Sequence, residues 1–190
     1  MSRSRPSGEG RVRAFVALPL DQAALERIGE SVTMLRPAIA GVRWVRSEGL
    51  HLTLRFLGWS SEPALESLEP ALLAATAECP ASAARLSGLG LFPERGSPRV
   101  LWLGVALEAR VGKLQQACER AAVAAGFDPE PRAFRPHLTL GRWRDRTPRP
   151  PLPDLDLGEA ALDRLVLFRS QLQRGGAVYT PLRVFPLHGA

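Results

Sequence analysis

Lysine is almost absent from this chain. Lys113 is the only one, so nearly all of the 25 basic residues are arginine, and the formal net charge is +6. A guanidinium is planar and permanently charged, and it holds phosphate through two parallel donors where an ammonium acts as a point charge. That balance suits phosphorylated ligands or nucleic acid without demonstrating either. Cysteine is scarce too. Cys79 and Cys118 have no CxxC or other ligand spacing, which argues against a disulfide framework or thiolate metal site and for two free thiols in a reducing cytoplasm. No apolar run approaches the roughly 20 residues of a membrane helix. Met1 to Arg11 is mainly Ser, Arg, Gly and Pro with no hydrophobic centre, so it reads as a disordered basic tail and not as a secretory leader. The phosphate-loop patterns GxxxxGK[ST] and GxGxxG are missing, as is the GxSxG elbow of serine hydrolases.

What remains is a chain of 190 residues, 45% apolar, enough for one well-cored domain spanning residues 12–190. Arg13 to Leu18 reads as a strand ended by Pro19. Asp21 is placed to cap a helix bearing Ala24, Leu25, Ile28, Val32 and Leu35 at helical spacing. Val42 to Val45 and Leu50 to Leu57 read as strands, and Ser61 as the cap of a helix running to about Cys79. Arg85 to Phe92 and Val100 to Ala106 are strands joined by a loop with Pro93, Gly96 and Pro98. Glu108 to Ala125 is an Ala-rich helix stopped by Gly126. His137 to Trp143 is a strand, Thr147 to Pro153 a Pro-rich loop. Leu162 to Ser170 and Ala177 to Leu187 form a closing pair around Gly175-Gly176. Helices alternate with strands early, yet strands also follow one another in pairs. That pattern implies an α+β fold with largely antiparallel sheets.

Histidine is rare as well, and its distribution is informative. Two of the three histidines sit in identical tetrapeptides, His51-Leu52-Thr53-Leu54 and His137-Leu138-Thr139-Leu140. On a strand, residues two apart share a face. Each copy therefore buries its leucines and presents an imidazole beside a hydroxyl. With one copy in each half of the chain, the expected architecture is bilobal and pseudo-twofold, with the motifs facing each other across a central cleft. One neutral imidazole can take a proton from an attacking oxygen while the other, protonated, supplies one to the leaving oxygen. The hydroxyls can hold non-bridging phosphate oxygens. Zinc fits poorly, because no Asp, Glu or Cys lies within either motif and HExxH spacing is absent. His188 reads as a surface or tail histidine.

Two H-x-T-hydrophobic motifs, one per half, resemble the 2H phosphoesterase superfamily. The flanks narrow the likeness to its RNA 2′,3′-cyclic phosphodiesterase branch, historically called 2′-5′ RNA ligase. They are Val42-Arg43-Trp44-Val45, Gly49 to Gly58, Leu91-Phe92-Pro93, Arg99 to Val105 and Arg135 to Arg142. The resemblance runs from Phe15 to about Leu187. It implies a cleft enzyme without metal or other cofactor that hydrolyses the 2′,3′-cyclic phosphate of RNA ends or nucleotides to a 2′-phosphomonoester. In some members it implies reversible 2′-5′ joining of RNA ends. Carried over residue by residue, His51 and His137 match the catalytic pair, with His51 as acid toward the 3′ oxygen and His137 as base by analogy. Thr53 and Thr139 match the phosphate-binding hydroxyls. Arg142 matches a phosphate-binding basic residue, although simple alternation would place it opposite His137, so it reaches the phosphate only if the strand twists or bulges. Arg55 falls on the His51 face and is a second candidate for the phosphate. Phe15, Trp44, Trp102 and Tyr179 are either core or stacking surfaces at the cleft rim. The run Arg142, Arg144, Arg146 and Arg149 with Trp143 either tracks an RNA backbone or forms a solvated loop. A monomeric cytoplasmic protein without membrane contact is expected. The competing readings are a noncatalytic RNA- or nucleotide-binding module, and the same chemistry on another substrate such as ADP-ribose cyclic phosphate or a 2′-5′ oligoadenylate.

Overall fold

Local chemistry sets most element boundaries in the computed structural model, which describes residues 10–173 and 176–188. Strand β1 (Arg11–Pro19) leads to α1 (Gln22–Leu35), whose N-cap Asp21 accepts a hydrogen bond from the Ala24 amide at 2.8 Å. The same carboxylate accepts from the Ala161 amide at 2.6 Å, so the cap also ties the helix to the far end of the chain. There follow β2 (Arg43–Trp44), β3 (His51–Ser61), α2 (Glu62–Glu66), α3 (Glu69–Ala77), β4 (Ser82–Phe92) and β5 (Val100–Leu107). The chain closes with α4 (Ala109–Ala124), β6 (His137–Arg142), β7 (Asp156–Leu162), β8 (Arg164–Gln173) and β9 (Gly176–Pro186). Gly126, at φ +87°, adopts after α4 the left-handed conformation that favours glycine.

Three expectations need correction. The helix expected from Ser61 to about Cys79 is two helices. Glu-Pro-Ala-Leu occurs twice, at Glu62–Leu65 and Glu69–Leu72, and each copy starts a helix with proline in its first turn. Pro70 has no N–H for a continuing helix and its ring would meet the carbonyl four residues back. Strand β7 was not evident, because its Gly158 and flanking Asp and Pro residues resemble a loop. Arg11, placed in the tail by composition, already pairs with Ser61 in β1. The rest of the expected tail, residues 1–9, lies outside the described residues, as does part of the Gly175-Gly176 turn.

All strand pairs within the two sheets are antiparallel. One sheet has the order β3-β1-β8-β9 and the other β2-β6-β5-β4-β7. Each sheet holds one histidine motif, as the bilobal reading requires, but the lobes are not the two halves of the sequence. Strand β2 leaves the first half to pair with β6, and β8 and β9 return to extend β1. Helices cross over as well. Helix α1 packs beside β7 in the second sheet, where Arg27 donates to the Leu157 carbonyl at 2.9 Å, while α4 packs on β3 in the first. This interlocking explains why no linker composition divides the chain. The leucines of both motifs (Leu52, Leu54, Leu138 and Leu140) belong to one continuous buried cluster.

Candidate functional site

Each histidine begins its strand, and each is fixed by the backbone just before it. His51 follows a 3-10 turn at Ser47–Gly49, and its Nδ1 lies 2.9 Å from the Gly49 carbonyl. His137 follows Arg135-Pro136, and its Nδ1 lies 2.7 Å from the Arg135 carbonyl. A carbonyl only accepts, so in both rings Nδ1 carries the hydrogen. The neutral tautomer then leaves Nε2 unprotonated and available for proton exchange. The same two-residue back-bond on both strands gives the pair its symmetry. Along each strand the histidine and threonine are half-buried while the leucines are buried, the alternation read from the sequence.

The surroundings of both rings are apolar. His51 is stacked on Phe15 at 4.6 Å between centroids and meets Tyr179 edge-on at 4.9 Å, with Phe168 at 6.0 Å. Phe92 meets His137 edge-on at 5.2 Å and Trp102 lies at 6.3 Å. Burial is the main reason the His51 pKa falls, to about 4. The bond to Gly49 opposes that fall, and a charge on His137 adds to it. The His137 pKa is lowered in the same way by burial, with Arg142 adding to the effect against the bond to Arg135. Both imidazoles are therefore neutral near pH 7, and a charge on His137 bears on His51 from the other sheet.

The two arginine candidates separate. Strand β6 carries one extra residue at Leu140, between the Trp102↔Thr139 and Leu101↔Gly141 pairs. This bulge shifts the alternation, so Leu138, Leu140 and Gly141 are buried while Arg142 is exposed. Arg142 is thereby brought to the His137 side. Burial raises the pKa of the Tyr179 phenol, and the Arg142 charge opposes that rise. Arg55 goes the other way. A matching extra residue at Leu54 in β3 turns it off the His51 face. It is 6% exposed, ion-paired with Glu119 at 2.5 Å, and donates to the Phe56 and Asp128 carbonyls. The expectation that Arg55 faces the phosphate with His51 is thus corrected: its guanidinium is held among α4 and the loop after it.

The aromatic candidates also divide. Phe15 and Tyr179 touch His51, and Trp102 lies flat over Gly90, where an added Cβ would come within 2.0 Å of the indole. Trp44 instead packs against the core, with the Arg36 guanidinium 5.8 Å from its ring. Sequence reasoning gave no site role to Phe92, read only within the Leu91-Phe92-Pro93 flank, or to Phe168 and Arg13; Phe92 and Phe168 stand beside the histidine rings and Arg13 acts on Tyr179. Arg13 carried a local signal, two residues from Phe15 on the same strand, whereas the place of Phe168 follows from its pairing opposite Phe15. The arginines after the second motif scatter: Arg149 donates to the Pro93 carbonyl at 3.0 Å, and the Arg144 carbonyl accepts from Arg99. His188 bridges to Pro80, beside the start of β4. Among the described residues, no group of three or more His, Cys, Asp or Glu side chains gathers into a metal-binding cluster. Among them also, no helix is long and apolar enough to cross a membrane.

Comparison with known proteins agrees with this geometry. A family model described as the 2′-5′ RNA ligase superfamily matches residues 22–174. A curated protein of Methanothermobacter thermautotrophicus named RNA 2′,3′-cyclic phosphodiesterase is 33% identical over 184 residues, which is 93% of this chain and 100% of that one. One of the same name from Thermus thermophilus is 36% identical over 187 residues, 94% and 91% of the two chains. Among solved structures, TT0787 of Thermus thermophilus superposes with a TM-score of 0.82 at 31% identity, over 93% of this chain and 98% of that one. E. coli LigT complexed with 3′-AMP superposes with a TM-score of 0.79 at 27% identity, with 93% and 98% covered. The chain belongs to the 2′-5′ RNA ligase superfamily.

Proposed function

We propose that this protein hydrolyses 2′,3′-cyclic phosphate, on RNA ends or nucleotides, to a 2′-phosphomonoester, using His51 and His137 as an acid–base pair. The observation that supports this best is the mirrored back-bond: both imidazoles anchor Nδ1 on a carbonyl two residues upstream and keep Nε2 free. A buried structural histidine has no need of a symmetric partner held the same way. The names of the relatives point to the same reaction.

In this reading a water oxygen attacks phosphorus and the bond from phosphorus to the 3′ oxygen breaks. The water proton goes to Nε2 of His137, and the 3′ oxygen receives the proton on Nε2 of His51. Turnover leaves the two rings with exchanged protonation, which solvent resets. Because both pKa values are lowered in the free protein, His51 takes up its proton as the phosphate anion binds and supplies a compensating charge. Thr53, Thr139 and Arg142 hold the non-bridging oxygens as charge develops on them. A ribose 5′-hydroxyl in place of water gives a 2′-5′ phosphodiester by the same proton transfers, which accounts for reversible joining. The protein acts as a monomer in the cytoplasm, where its two thiols stay reduced.

The test is turnover of a panel: 2′,3′-cyclic mononucleotides, cyclic-ended oligonucleotides and ADP-ribose cyclic phosphate, with the product's phosphate position read by phosphorus NMR. The expected product on ribonucleotides is the 2′-phosphate. His51→Ala and His137→Ala should each lower kcat by about 10²–10⁴-fold, the usual worth of one proton-transfer group. Chelation with EDTA should leave the rate unchanged. Full activity of either variant would overturn the mechanism.

A further inference from the structure

Strand β3 does not stop at the histidine motif. It carries a second extra residue at Leu57, between the Phe15↔Phe56 and Ala14↔Gly58 pairs, where Gly58 takes φ +71°. With the bulge at Leu54, the result is that Leu52, Leu54, Arg55 and Leu57 turn inward. His51, Thr53, Phe56 and Trp59 share the opposite face. Pairing confirms the assignment. Phe56 lies opposite Phe15, 6.1 Å from its ring, and Phe15 is the residue stacked on His51. Trp59 lies opposite Arg13, which lies opposite Ser170, which lies opposite Tyr179, the other ring against His51. Arg13 is near enough to Tyr179 to act on its pKa.

Phe56 and Trp59 are nevertheless 48% and 53% exposed. Two large rings on one face of one strand, both left in water, are not explained by the core. Phe56 also stands five residues after His51, the place that Arg142 holds after His137, each just past a bulge. The two lobes thus put a cation at this position on one side of the cleft and a ring on the other.

We infer that Phe56 and Trp59, with Arg13 between β3 and the cleft centre, form a lane for single-stranded RNA that stacks the bases preceding the terminal cyclic phosphate. A cyclic phosphate closes the 3′ end of a strand, so the remaining nucleotides must leave the histidine pair on the 5′ side. Aromatic faces alternating with arginines are what an unpaired strand of any sequence requires, since every base has a π-face and every linkage a charge. The inference rests on the phosphodiesterase reading for the anchor of the strand. It adds that the preferred substrate is an oligonucleotide and not a cyclic mononucleotide.

The experiment compares kcat/KM for a cyclic-ended hexanucleotide and for the corresponding cyclic mononucleotide. It adds the Kd of a labelled hexanucleotide ending in 2′-phosphate, which needs no turnover. Wild type should favour the hexanucleotide. Trp59→Ala and the double variant Phe56→Ala/Trp59→Ala should each lower that preference and weaken hexanucleotide binding, by about tenfold or more for the double variant. Trp59→Phe should restore most of both. Arg13→Gln should flatten the salt dependence of hexanucleotide binding. Both rings are exposed, so these variants should keep the wild-type circular dichroism. Unchanged preference and Kd in the double variant would overturn the lane. Absence of turnover on both substrates in wild type would instead overturn the phosphodiesterase reading, and the Kd series would still decide the lane.

Discussion

Replacing His51 by asparagine should make the protein relatively more stable in acid while abolishing turnover. Asparagine keeps an amide donor for the Gly49 carbonyl and removes the titrating ring. In the folded protein the His51 pKa is lowered from 6.5 to about 4, chiefly by burial. In the unfolded chain it returns to its ordinary value. Between about pH 6.5 and pH 4 the unfolded state therefore binds a proton that the folded state refuses, so stability is lost as pH falls through this window and the loss levels off below it. One pKa unit corresponds to about 1.4 kcal/mol, which gives about 3 kcal/mol for the full shift. Solvent reaching the half-buried ring reduces this to about 2 kcal/mol. The assay is urea unfolding of wild type and His51→Asn at pH 7 and pH 4. Carboxylates and His137 titrate in both proteins, so their contributions cancel in the difference. Wild type should lose about 2 kcal/mol more than the variant between the two pH values. Equal losses would refute the claim that His51 is held neutral by its surroundings.

The two arginines should behave in opposite ways. If Arg142 holds the phosphate as proposed, Arg142→Gln should lower kcat/KM by about tenfold or more with little change in stability, since Arg142 is exposed and its charge acts on His137. Arg55→Gln should instead destabilise by about 3 kcal/mol by stranding Glu119, a loss read in denaturant unfolding. Asp21→Ala should cost about 1–2 kcal/mol in the same assay, because one carboxylate caps α1 and also accepts the Ala161 amide. Gly90→Ala should displace Trp102 from its flat seat, and the tryptophan fluorescence spectrum should shift while the fold is retained. Cys118, buried and with its thiol pushed up to about 12, should resist iodoacetamide in the native protein and react only after unfolding.

Much of the site was legible before the fold. The tetrapeptide His-Leu-Thr-Leu needs only period-two geometry to expose imidazole and hydroxyl and bury leucine, and both copies do so. Asp21, Gly126 and the Pro-rich loops announced their boundaries because capping, positive φ and missing N–H groups act within a few residues. The break between α2 and α3 was also written locally, in the repeated Glu-Pro-Ala-Leu, but the apolar spacing across it concealed the second proline's meaning.

The amino-acid sequence by itself determined most of the elements, though not β7 or the break between α2 and α3, together with the α+β class and the two faces of each motif strand, because these follow from the chirality and spacing of neighbouring residues. Tertiary structure decided everything that depends on register between distant strands. It exchanged β2, β8 and β9 between lobes, gave each histidine its aromatic walls, and placed the single-residue bulges that turn Arg142 toward the cleft and Arg55 away from it. A bulge is one residue's difference in how two strands count against each other, so no pattern within a single strand can reveal it.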